Sequence, residues 1–283
     1  MRIEEIRRYP IKSMAGESLD RVDVGPRGLV GDRAWAVRDE VRGGIRGAKK
    51  IPALMRLASV YTDPPATEGS SVAEIVLPDG TRCRTDDPDV NARVSAALDH
   101  AVSLWPLLPA DALEHYRRGA PTHEDMEQEM RALFARNPDE PLPDLSVFPP
   151  ELFEFESPLG TYFDAFPVLL LTTSSLHSMQ TRHPGSRFDV RRFRPNLMID
   201  TGATDGFPEA AWGGRRLRIG EVVMQVTIPC PRCVMTTHGF EDLPKDPGVM
   251  RALVKETGGN LGAYATVEVP GSIGRGDSVT LLD

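Results

Sequence analysis

Hydrophobic and polar residues alternate over much of the first hundred positions of this chain. A period of two is typical of strands that have one buried and one solvated face. It predicts strands over residues 2–7, 21–24, 33–38 and 57–61. A hairpin over residues 74–83 is also expected, because its Asp-Gly pair readily adopts the positive φ of a tight turn.

Helical periodicity is confined to short segments. One helix is expected to begin near Pro88, with Asp87 as its cap. Its inward face would carry Val90, Val94 and Leu98, which are spaced four residues apart.

Between residues 105 and 155 the chain becomes rich in proline and acidic residues. One amphipathic helix is expected there, from Glu124 to Arg136, with Thr122 as its cap. The side chains expected to face inward are Met126, Met130 and Leu133. We interpret the segment as an insertion or linker that ends at Pro149-Pro150, because consecutive prolines mark a boundary.

The last third of the chain returns to strands. They are expected over residues 164–171 and 195–200, in a hairpin over 216–228, and over 265–282. Two helices interrupt them, one capped by Thr172 and ending near Arg182, the other running from Asp246-Pro247 to Gly258. Many strands with few helices predict a mainly β, α+β fold with a barrel-like sheet and no internal repeat.

Composition narrows the class of protein. The chain has 283 residues, of which 40% are hydrophobic and 26% charged, as in ordinary soluble domains. Its length permits one large or two modest domains. The net charge of −8 argues against nucleic acid or an anionic membrane as the main partner, since both require a dominant basic face. A local basic cluster can still bind one small anion.

No apolar run has the length of a signal peptide or a membrane span, the longest being Phe166–Leu171. We therefore expect a cytoplasmic protein. Three cysteines, at 83, 230 and 233, make a disulfide framework unexpected and favour a metal site or a reactive thiol.

The stretch Cys230-Pro-Arg-Cys233, at the end of an apolar strand, is the strongest chemical signal. Its spacing alone fits half of a zinc site, a dithiol redox pair or two inert buried thiols about equally. Zinc would need further ligands, such as His238 or the remote Cys83. A redox pair should open a helix in a βαβ unit, whereas residues 234–239 look extended. The other histidines show no paired metal spacing.

Other polar motifs are ambiguous by themselves. The arginine-rich stretch from Arg187 to Asn196 fits a solvated face or an anion site. Lys12-Ser13 resembles a turn after a strand. The glycine-rich residues 25–31 lack the strand-to-helix context of a phosphate loop and predict a turn.

Taken together, five motifs in one order resemble the MOSC family, named after the C-terminal domain of molybdenum cofactor sulfurase, and especially the branch that contains the amidoxime-reducing components. The motifs are Tyr9-Pro-Ile-Lys12-Ser13, Gly31-Asp-Arg33, Arg194-Pro-Asn196, Cys230-Pro-Arg-Cys233 and Gly262-Ala-Tyr264. The resemblance runs from Ile3 to Leu282, except near residues 105–155. It implies a MOSC β-barrel over 156–283 and a smaller N-terminal β lobe over 1–100, with 105–155 between them.

The resemblance also implies roles for individual residues. Cys233 would be the thiolate ligand of molybdenum held by molybdopterin, and Cys230 would have no comparable role. The residues that would contact the cofactor are Lys12, Ser13, Arg33, Arg194, Asn196, Arg232 and Tyr264. Pro231 departs from the animal proteins, which carry serine there, so only a backbone contact is expected at that position.

The function implied is a molybdenum-cofactor-dependent reductase that removes one oxygen from small N-hydroxylated or N-oxide compounds. A separate electron-transfer protein and reductase would supply its electrons, since the sequence has no dinucleotide fingerprint. The alternative is a carrier that binds the cofactor, or bears a persulfide on Cys233, without turning over substrate. A simple zinc-binding module is a further alternative.

Overall fold

The computed structural model describes residues 1–282, which form seventeen strands and six α-helices. The strands in chain order are β1 (Arg2–Arg8), β2 (Glu17–Leu19), β3 (Arg21–Gly25), β4 (Gly28–Leu29), β5 (Trp35–Asp39), β6 (Ile45–Arg46), β7 (Ala58–Val60), β8 (Glu74–Val76), β9 (Arg82–Arg84), β10 (Val102–Pro106), β11 (Val168–Thr172), β12 (Leu197–Asp200), β13 (Arg216–Ile219), β14 (Val222–Pro231), β15 (Asn260–Val269), β16 (Gly271–Gly274) and β17 (Val279–Leu282).

The helices are short and lie between the strands. The α-helices are α1 (Val90–Leu98), α2 (Leu113–Tyr116), α3 (Met126–Phe134), α4 (Thr173–Arg182), α5 (Val190–Phe193) and α6 (Gly248–Thr257). Single 3₁₀ turns occupy Pro52–Arg56, Pro150–Phe153, Pro208–Ala211 and Val234–Thr237. Among residues 1–282, no helix has both the length and the apolar character that a membrane crossing requires.

The largest sheet has eight strands in the order β17-β13-β14-β15-β11-β12-β1-β2. Its pairs are antiparallel except for β11 and β12, which are parallel and are joined through α4 and α5. The first strand of the chain therefore pairs with a strand from its last third, with Ile3 opposite Ile199. The mainly β prediction is confirmed, and β1 lies in the same sheet as strands from the last third of the chain.

Three smaller three-stranded sheets complete the fold, in the orders β10-β5-β6, β16-β3-β4 and β7-β8-β9. Much of the N-terminal part packs around one core that includes Ile11, Val37 and Leu54. Met235 and Phe240, which follow the two-cysteine motif, are buried in the same core. Burial of apolar surface thus fixes the cysteine motif against the N-terminal part.

Several expected elements form for the reasons given. Gly80 turns the β8–β9 hairpin with φ +84°. The Thr172 hydroxyl caps α4 by accepting from the Ser175 N–H at 3.2 Å. Gly258 ends α6 in the left-handed conformation at φ +63°. Within the predicted turn region 25–31, residues 26 and 27 form the tight turn between β3 and β4, and Gly28, which begins β4, has φ +86°.

Two expected caps are wrong. Helix α1 begins at Val90 with Asp89 in the cap position, because the Asp87 carboxylate instead accepts from the Arg84 N–H at 2.7 Å. In the middle segment the cap of α3 is Asp125, not Thr122.

The inward face predicted for α3 is wrong at Met126, which is 66% exposed, whereas Met130 and Leu133 are partly buried. The buried residue is Glu129, which is 5% exposed, pairs with Lys50 and accepts from the N–H groups of Thr122 and His123. Charge and hydrogen bonding at Glu129 therefore help to orient this helix. The apolar periodicity alone did not predict that this carboxylate would be its most buried side chain.

Candidate functional site

Loops from distant parts of the chain converge at one place beside the eight-stranded sheet. They follow β1, connect β4 to β5, precede β12 and follow β14. These loops carry most of the residues that the resemblance assigned to the cofactor. Contacts within the protein determine which of their polar atoms remain available to a ligand.

The two thiols of the Cys-Pro-Arg-Cys motif lie in different environments. Cys230 is 1% exposed within β14, whereas Cys233 is partly exposed. Cys233 is the cap residue of the 3₁₀ turn Val234–Thr237, and its backbone carbonyl accepts from the Thr236 N–H at 3.2 Å. The extended conformation predicted after Cys233 is therefore wrong, because the hydroxyl groups of Thr236 and Thr237 also bond back to carbonyls within this turn.

Neither the zinc nor the thioredoxin-like interpretation fits this surrounding. Strand β14 is antiparallel to β13 and β15, so the motif is not part of a βαβ unit. Among residues 1–282, no three His, Cys, Asp or Glu side chains are grouped to hold a metal ion. The Nε2 atom of His238 bonds to the Ala48 carbonyl at 3.0 Å, and Cys83 is buried in the N-terminal core.

Arg232 folds back beneath the cysteine motif and is 6% exposed. It donates from Nε to the Leu261 carbonyl at 2.7 Å and from Nη1 to the Phe193 carbonyl at 3.0 Å. Its Nη2 atom is buried without a hydrogen-bond partner among residues 1–282. The absence of a side chain at Gly262 leaves room for the neighbouring chain, since a Cβ there would lie 2.5 Å from the Leu170 carbonyl oxygen and 3.4 Å from Nη2 of Arg232.

The four arginines near residue 190 separate into three structural roles. Arg187 and Arg191 form ion pairs on the surface, mainly with Asp189 and Asp242. Arg192 is 1% exposed and donates to backbone carbonyls, including that of His238 at 2.9 Å. Of this group only Arg194 retains buried donor capacity, because its Nη2 atom has no partner among residues 1–282.

Arg194 lies over the ring of Tyr9, with its Cζ atom 4.2 Å from the ring centroid. Arg33 lies 5.1 Å from the same centroid and forms an ion pair with the buried Asp32. Asn196 donates from Nδ2 to Asp32 at 3.0 Å, and its Oδ1 accepts from a backbone N–H. Asn196 is therefore committed to neighbouring protein groups, while Arg194 is held by a ring and keeps one buried donor without a partner among residues 1–282.

Three of these residues have left-handed backbone conformations. They are Ser13 at φ +71°, Arg33 at φ +50° and Arg194 at φ +54°. Residues 1–282 contain six non-glycine residues with positive φ, so half of them lie at positions assigned to the cofactor. Such conformations cost about 1–3 kcal/mol each and concentrate where a site needs a particular geometry.

Lys12 is almost fully buried and forms a charged cluster that the sequence did not predict. Its Nζ donates to the Tyr162 carbonyl at 2.8 Å and to Asp164 at 2.9 Å. Lys49 approaches the same carboxylate at 3.4 Å. The loop that carries Lys49 is fixed at Ala48, whose N–H donates to the Ser13 hydroxyl at 2.9 Å.

This cluster sets the charge beside Cys233. Burial opposes ionisation of Asp164, but Lys12 and Lys49 outweigh it and hold the pKa of the carboxyl well below its usual range. Burial raises the pKa of the Cys233 thiol, and Lys49 is the main cation that opposes this rise. The Asp164 side chain is 42% exposed, so water screens these pairs.

Lys49 and Asp164 escaped the sequence analysis for different reasons. Lys49 stands in a run of two lysines, which is typical of a solvated surface, and Asp164 fell inside a predicted strand. Only the contact between segments more than a hundred residues apart identifies them.

Tyr264 lies on β15, opposite Leu169 of β11, with its ring centroid 5.3 Å from that of Phe166. Burial raises its pKa well above 10, and the neighbouring Cys230 contributes to the rise. The hydroxyl therefore stays protonated at ordinary pH. It hydrogen-bonds with the Cys230 side chain, which ties Tyr264 to the cysteine strand.

These groups fit a small anion that carries several negative charges, and the Cys233 thiol adds a soft sulfur donor beside them. Cations outnumber carboxylates: Lys12, Lys49, Arg33, Arg194 and Arg232 face Asp32 and Asp164, an excess of three positive charges by count. The buried Nη2 atoms of Arg194 and Arg232 have no partner among residues 1–282, and leaving such donors unpaired is costly. A phosphate-bearing ligand would satisfy them, and the Cys233 thiol could bind a soft metal.

The fold and the site together define a class: mainly β proteins in which both ends of the chain build a cationic cradle around one cysteine. The chain belongs to the MOSC domain family. The MOSC domain model matches residues 160–280, and the model of the MOSC N-terminal beta barrel domain matches residues 1–93.

The chain is similar to two mammalian proteins over most of its length. It is 28% identical over 247 residues to mitochondrial amidoxime reducing component 2 of Bos taurus, covering 83% of this chain and 66% of that protein, slightly under two thirds. It is 26% identical to mitochondrial amidoxime-reducing component 1 of Mus musculus, covering 97% and 80%.

A shorter match joins the chain to molybdenum cofactor sulfurase of Drosophila grimshawi, at 34% identity over 33% of this chain and 11% of that protein. Among solved structures, the YUAD protein of Bacillus subtilis aligns over 99% of this chain and 94% of its own, at a TM-score of 0.44 and 10% identity. That likeness is too weak to bear on the site. Together, the sequence matches support a role related to the molybdenum cofactor.

Proposed function

We propose that this protein is a molybdenum-cofactor-dependent reductase that removes one oxygen atom from small N-hydroxylated or N-oxide compounds. The observation that carries the proposal is the position of Cys233, which is partly exposed beside a surplus of cations whose innermost donors are unpaired. The names of the similar mammalian proteins, amidoxime reducing components, point to the same chemistry.

The chain would divide the binding of the cofactor among a few groups. Arg194 and Arg232 would each donate from Nη2, and Lys12 retains one ammonium hydrogen beyond its two bonds. Ser13 accepts one bond and can still donate from its hydroxyl. Asn196 would act by orientation, because both its donor hydrogens are used within the protein.

Cys233 would supply the thiolate ligand of the metal. When bound, the cofactor would provide two-electron removal of the substrate oxygen. Lys49 would keep positive charge beside the thiolate, and Cys230 would stay in the buried strand without contact to the metal.

Elemental and pterin analysis tests this proposal directly. Protein made in cells that synthesise molybdopterin should contain about one molybdenum and one pterin per chain. It should reduce an N-hydroxylated amidine when a suitable reductase and electron carrier are added, and should turn over no substrate with NADH alone. Stoichiometric zinc without molybdenum in such protein would refute the proposal.

A second candidate function is that of a sulfur or cofactor carrier. It is favoured by the partial exposure of Cys233 and by the match to a protein named molybdenum cofactor sulfurase. A labile persulfide mass adduct on Cys233, without reductase activity in molybdenum-loaded protein, would support the carrier. The cytoplasmic location predicted from the sequence belongs to the proposal as well, and fractionation of the native cells tests it.

A further inference from the structure

Tyr9 lies at the centre of the cationic cradle and is 2% exposed. The Cζ atoms of Arg194 and Arg33 are 4.2 Å and 5.1 Å from the centroid of its ring. Both guanidinium groups are within the distance of about 6 Å at which a ring attracts a cation. One aromatic ring thus contacts two cations that are about 160 residues apart in the sequence.

Asp32 joins the same groups from another side, and its side chain has no exposed surface. Its Oδ1 atom accepts from the Tyr9 N–H at 2.7 Å. Its Oδ2 atom accepts from Asn196 at 3.0 Å and pairs with the Arg33 guanidinium. A single carboxylate therefore fixes the backbone that carries the ring, one of the two cations and the neighbouring amide.

The balance of charge around the ring is incomplete. Two guanidinium groups face the buried Asp32, and the next carboxylate that acts on them, Asp164, is already paired with Lys12 and Lys49. One positive charge around the ring is therefore uncompensated. Within residues 1–282 the Arg194 side chain forms no hydrogen bond to another residue, and the Tyr9 ring is its main support. The Tyr9 hydroxyl also donates to the carbonyl of Pro195 at 3.1 Å, which holds the backbone next to Arg194.

We infer that Tyr9 and Asp32 are the positioning residues of this site, and that they form the cradle before its anion arrives. The ring holds the two guanidinium groups close together, although like charges repel, and Asp32 sets the direction of Arg33 and Asn196. Neither residue needs to touch the ligand. The inference rests on the proposed function only for the identity of the anion as the phosphate-bearing cofactor.

A cofactor-free preparation from cells that cannot make molybdopterin allows a test with inorganic phosphate as the probe. Calorimetry would measure the dissociation constant of phosphate for wild type, for Tyr9→Phe and for a variant with a ring-fluorinated phenylalanine at position 9. The two variants have nearly the same shape, but fluorine removes the negative face of the ring. We expect Tyr9→Phe to bind within about twofold of wild type, and the fluorinated variant about tenfold more weakly.

Asp32→Asn gives an independent test whose sign is informative. If Asp32 only competed with the anion through its charge, its removal would tighten phosphate binding. A positioning role predicts weaker binding, because the new amide would place donor hydrogens against those of Arg33 and Asn196. Circular dichroism would first establish that each variant is folded. If Asp32→Asn does not fold, the comparison of phenylalanine with fluorinated phenylalanine at position 9 tests the positioning role by itself.

The outcomes separate this inference from the proposed function. Equal phosphate binding by the phenylalanine and fluorinated variants, together with tighter binding by folded Asp32→Asn, would overturn the positioning roles and leave the proposed function intact. Wild type that binds no phosphate overturns the cradle itself. The expected order of affinities, in a protein that never acquires molybdenum, would support the positioning roles while refuting the reductase.

Discussion

Replacing Arg194 by methionine should stabilise the cofactor-free protein while reducing its ability to keep the cofactor. Burial lowers the pKa of this guanidinium from its ordinary value to about 10, a change that Tyr9 and Asp32 only partly offset. At about 1.4 kcal/mol for each tenfold change in an ionisation constant, the charged form costs about 3 kcal/mol when no anion is bound. A methionine of similar length avoids this cost.

The sign of the pH dependence follows from the lowered pKa. The folded protein binds the Arg194 proton less tightly than the unfolded chain does. The destabilisation is therefore complete below pH of about 10 and fades as the pH rises towards 12.5. At neutral pH the whole cost is present, so the comparison with methionine can be made there.

The net gain should be smaller than the full cost of the charge. Methionine loses the contact with the Tyr9 ring, worth about 1 kcal/mol, and takes the same left-handed backbone as arginine. We expect the free energy of unfolding of cofactor-free Arg194→Met to rise by about 1–2 kcal/mol. In protein from cofactor-producing cells, molybdenum per chain should fall at least about fivefold.

Urea denaturation of cofactor-free protein measures the first quantity, and elemental analysis measures the second. Arg187→Met is the matched control, because that arginine is 52% exposed and pairs with Asp242 on the surface. It should change stability by less than about 0.5 kcal/mol and leave the molybdenum content unchanged. A destabilised but fully loaded Arg194→Met protein would refute the reasoning.

Further substitutions address the remaining groups. Cys233→Ser should abolish N-reductase activity and should lose the molybdenum or change its spectrum, because a neutral hydroxyl replaces a soft thiolate. Cys230→Ser should keep much of the activity and of the molybdenum. Equal and complete loss in both folded variants would contradict the assignment of Cys233 as the single protein ligand. Lys49→Met should lower the molybdenum content of protein from cofactor-producing cells, and Lys49→Arg should restore that content because it keeps the positive charge. Equal molybdenum contents in the two variants would exclude a role for the charge. Glu129→Gln should lower the free energy of unfolding by about 1–3 kcal/mol, whereas Glu127→Gln, at an exposed position, should change it very little. Ion pairing and hydrogen bonds outweigh burial and lower the pKa of Glu129, so the stability that this carboxylate contributes should disappear as the pH falls below about 4.5. Equal losses for the two variants in urea denaturation would refute this.

Periodicity predicted strands well where one face lies in a core and the other is more exposed, as for the buried Val22 and Val24 of β3. In β1 the buried Ile3 and Ile6 are three residues apart, because a register shift between Ile3 and Glu5 interrupts the alternation. The same reasoning failed for α3. An apolar stripe there competes with a buried carboxylate, and the ion pair with Lys50 across a loop decides which face turns inward.

The site was predictable only in part, and the division has a physical cause. The cysteine motif and the Arg194-Pro-Asn196 motif are local in sequence, so a resemblance can identify them. Their usable donors are not local, since the Arg192 guanidinium is occupied by backbone carbonyls from a distant segment, whereas Nη2 of Arg194, two residues on, has no partner among residues 1–282. Pairs such as Lys12 with Asp164 join segments 152 residues apart and leave no pattern in either segment.

The total charge and the local charge of this protein point in opposite directions, and the contrast is informative about its ligand. A net charge of −8 repels extended polyanions at long range, whereas the cradle holds three more cations than carboxylates within a small volume. The cations that produce this local surplus include the buried Lys12, Arg194 and Arg232. The local charge therefore favours one small anion, while the net charge opposes the binding of an extended polyanion.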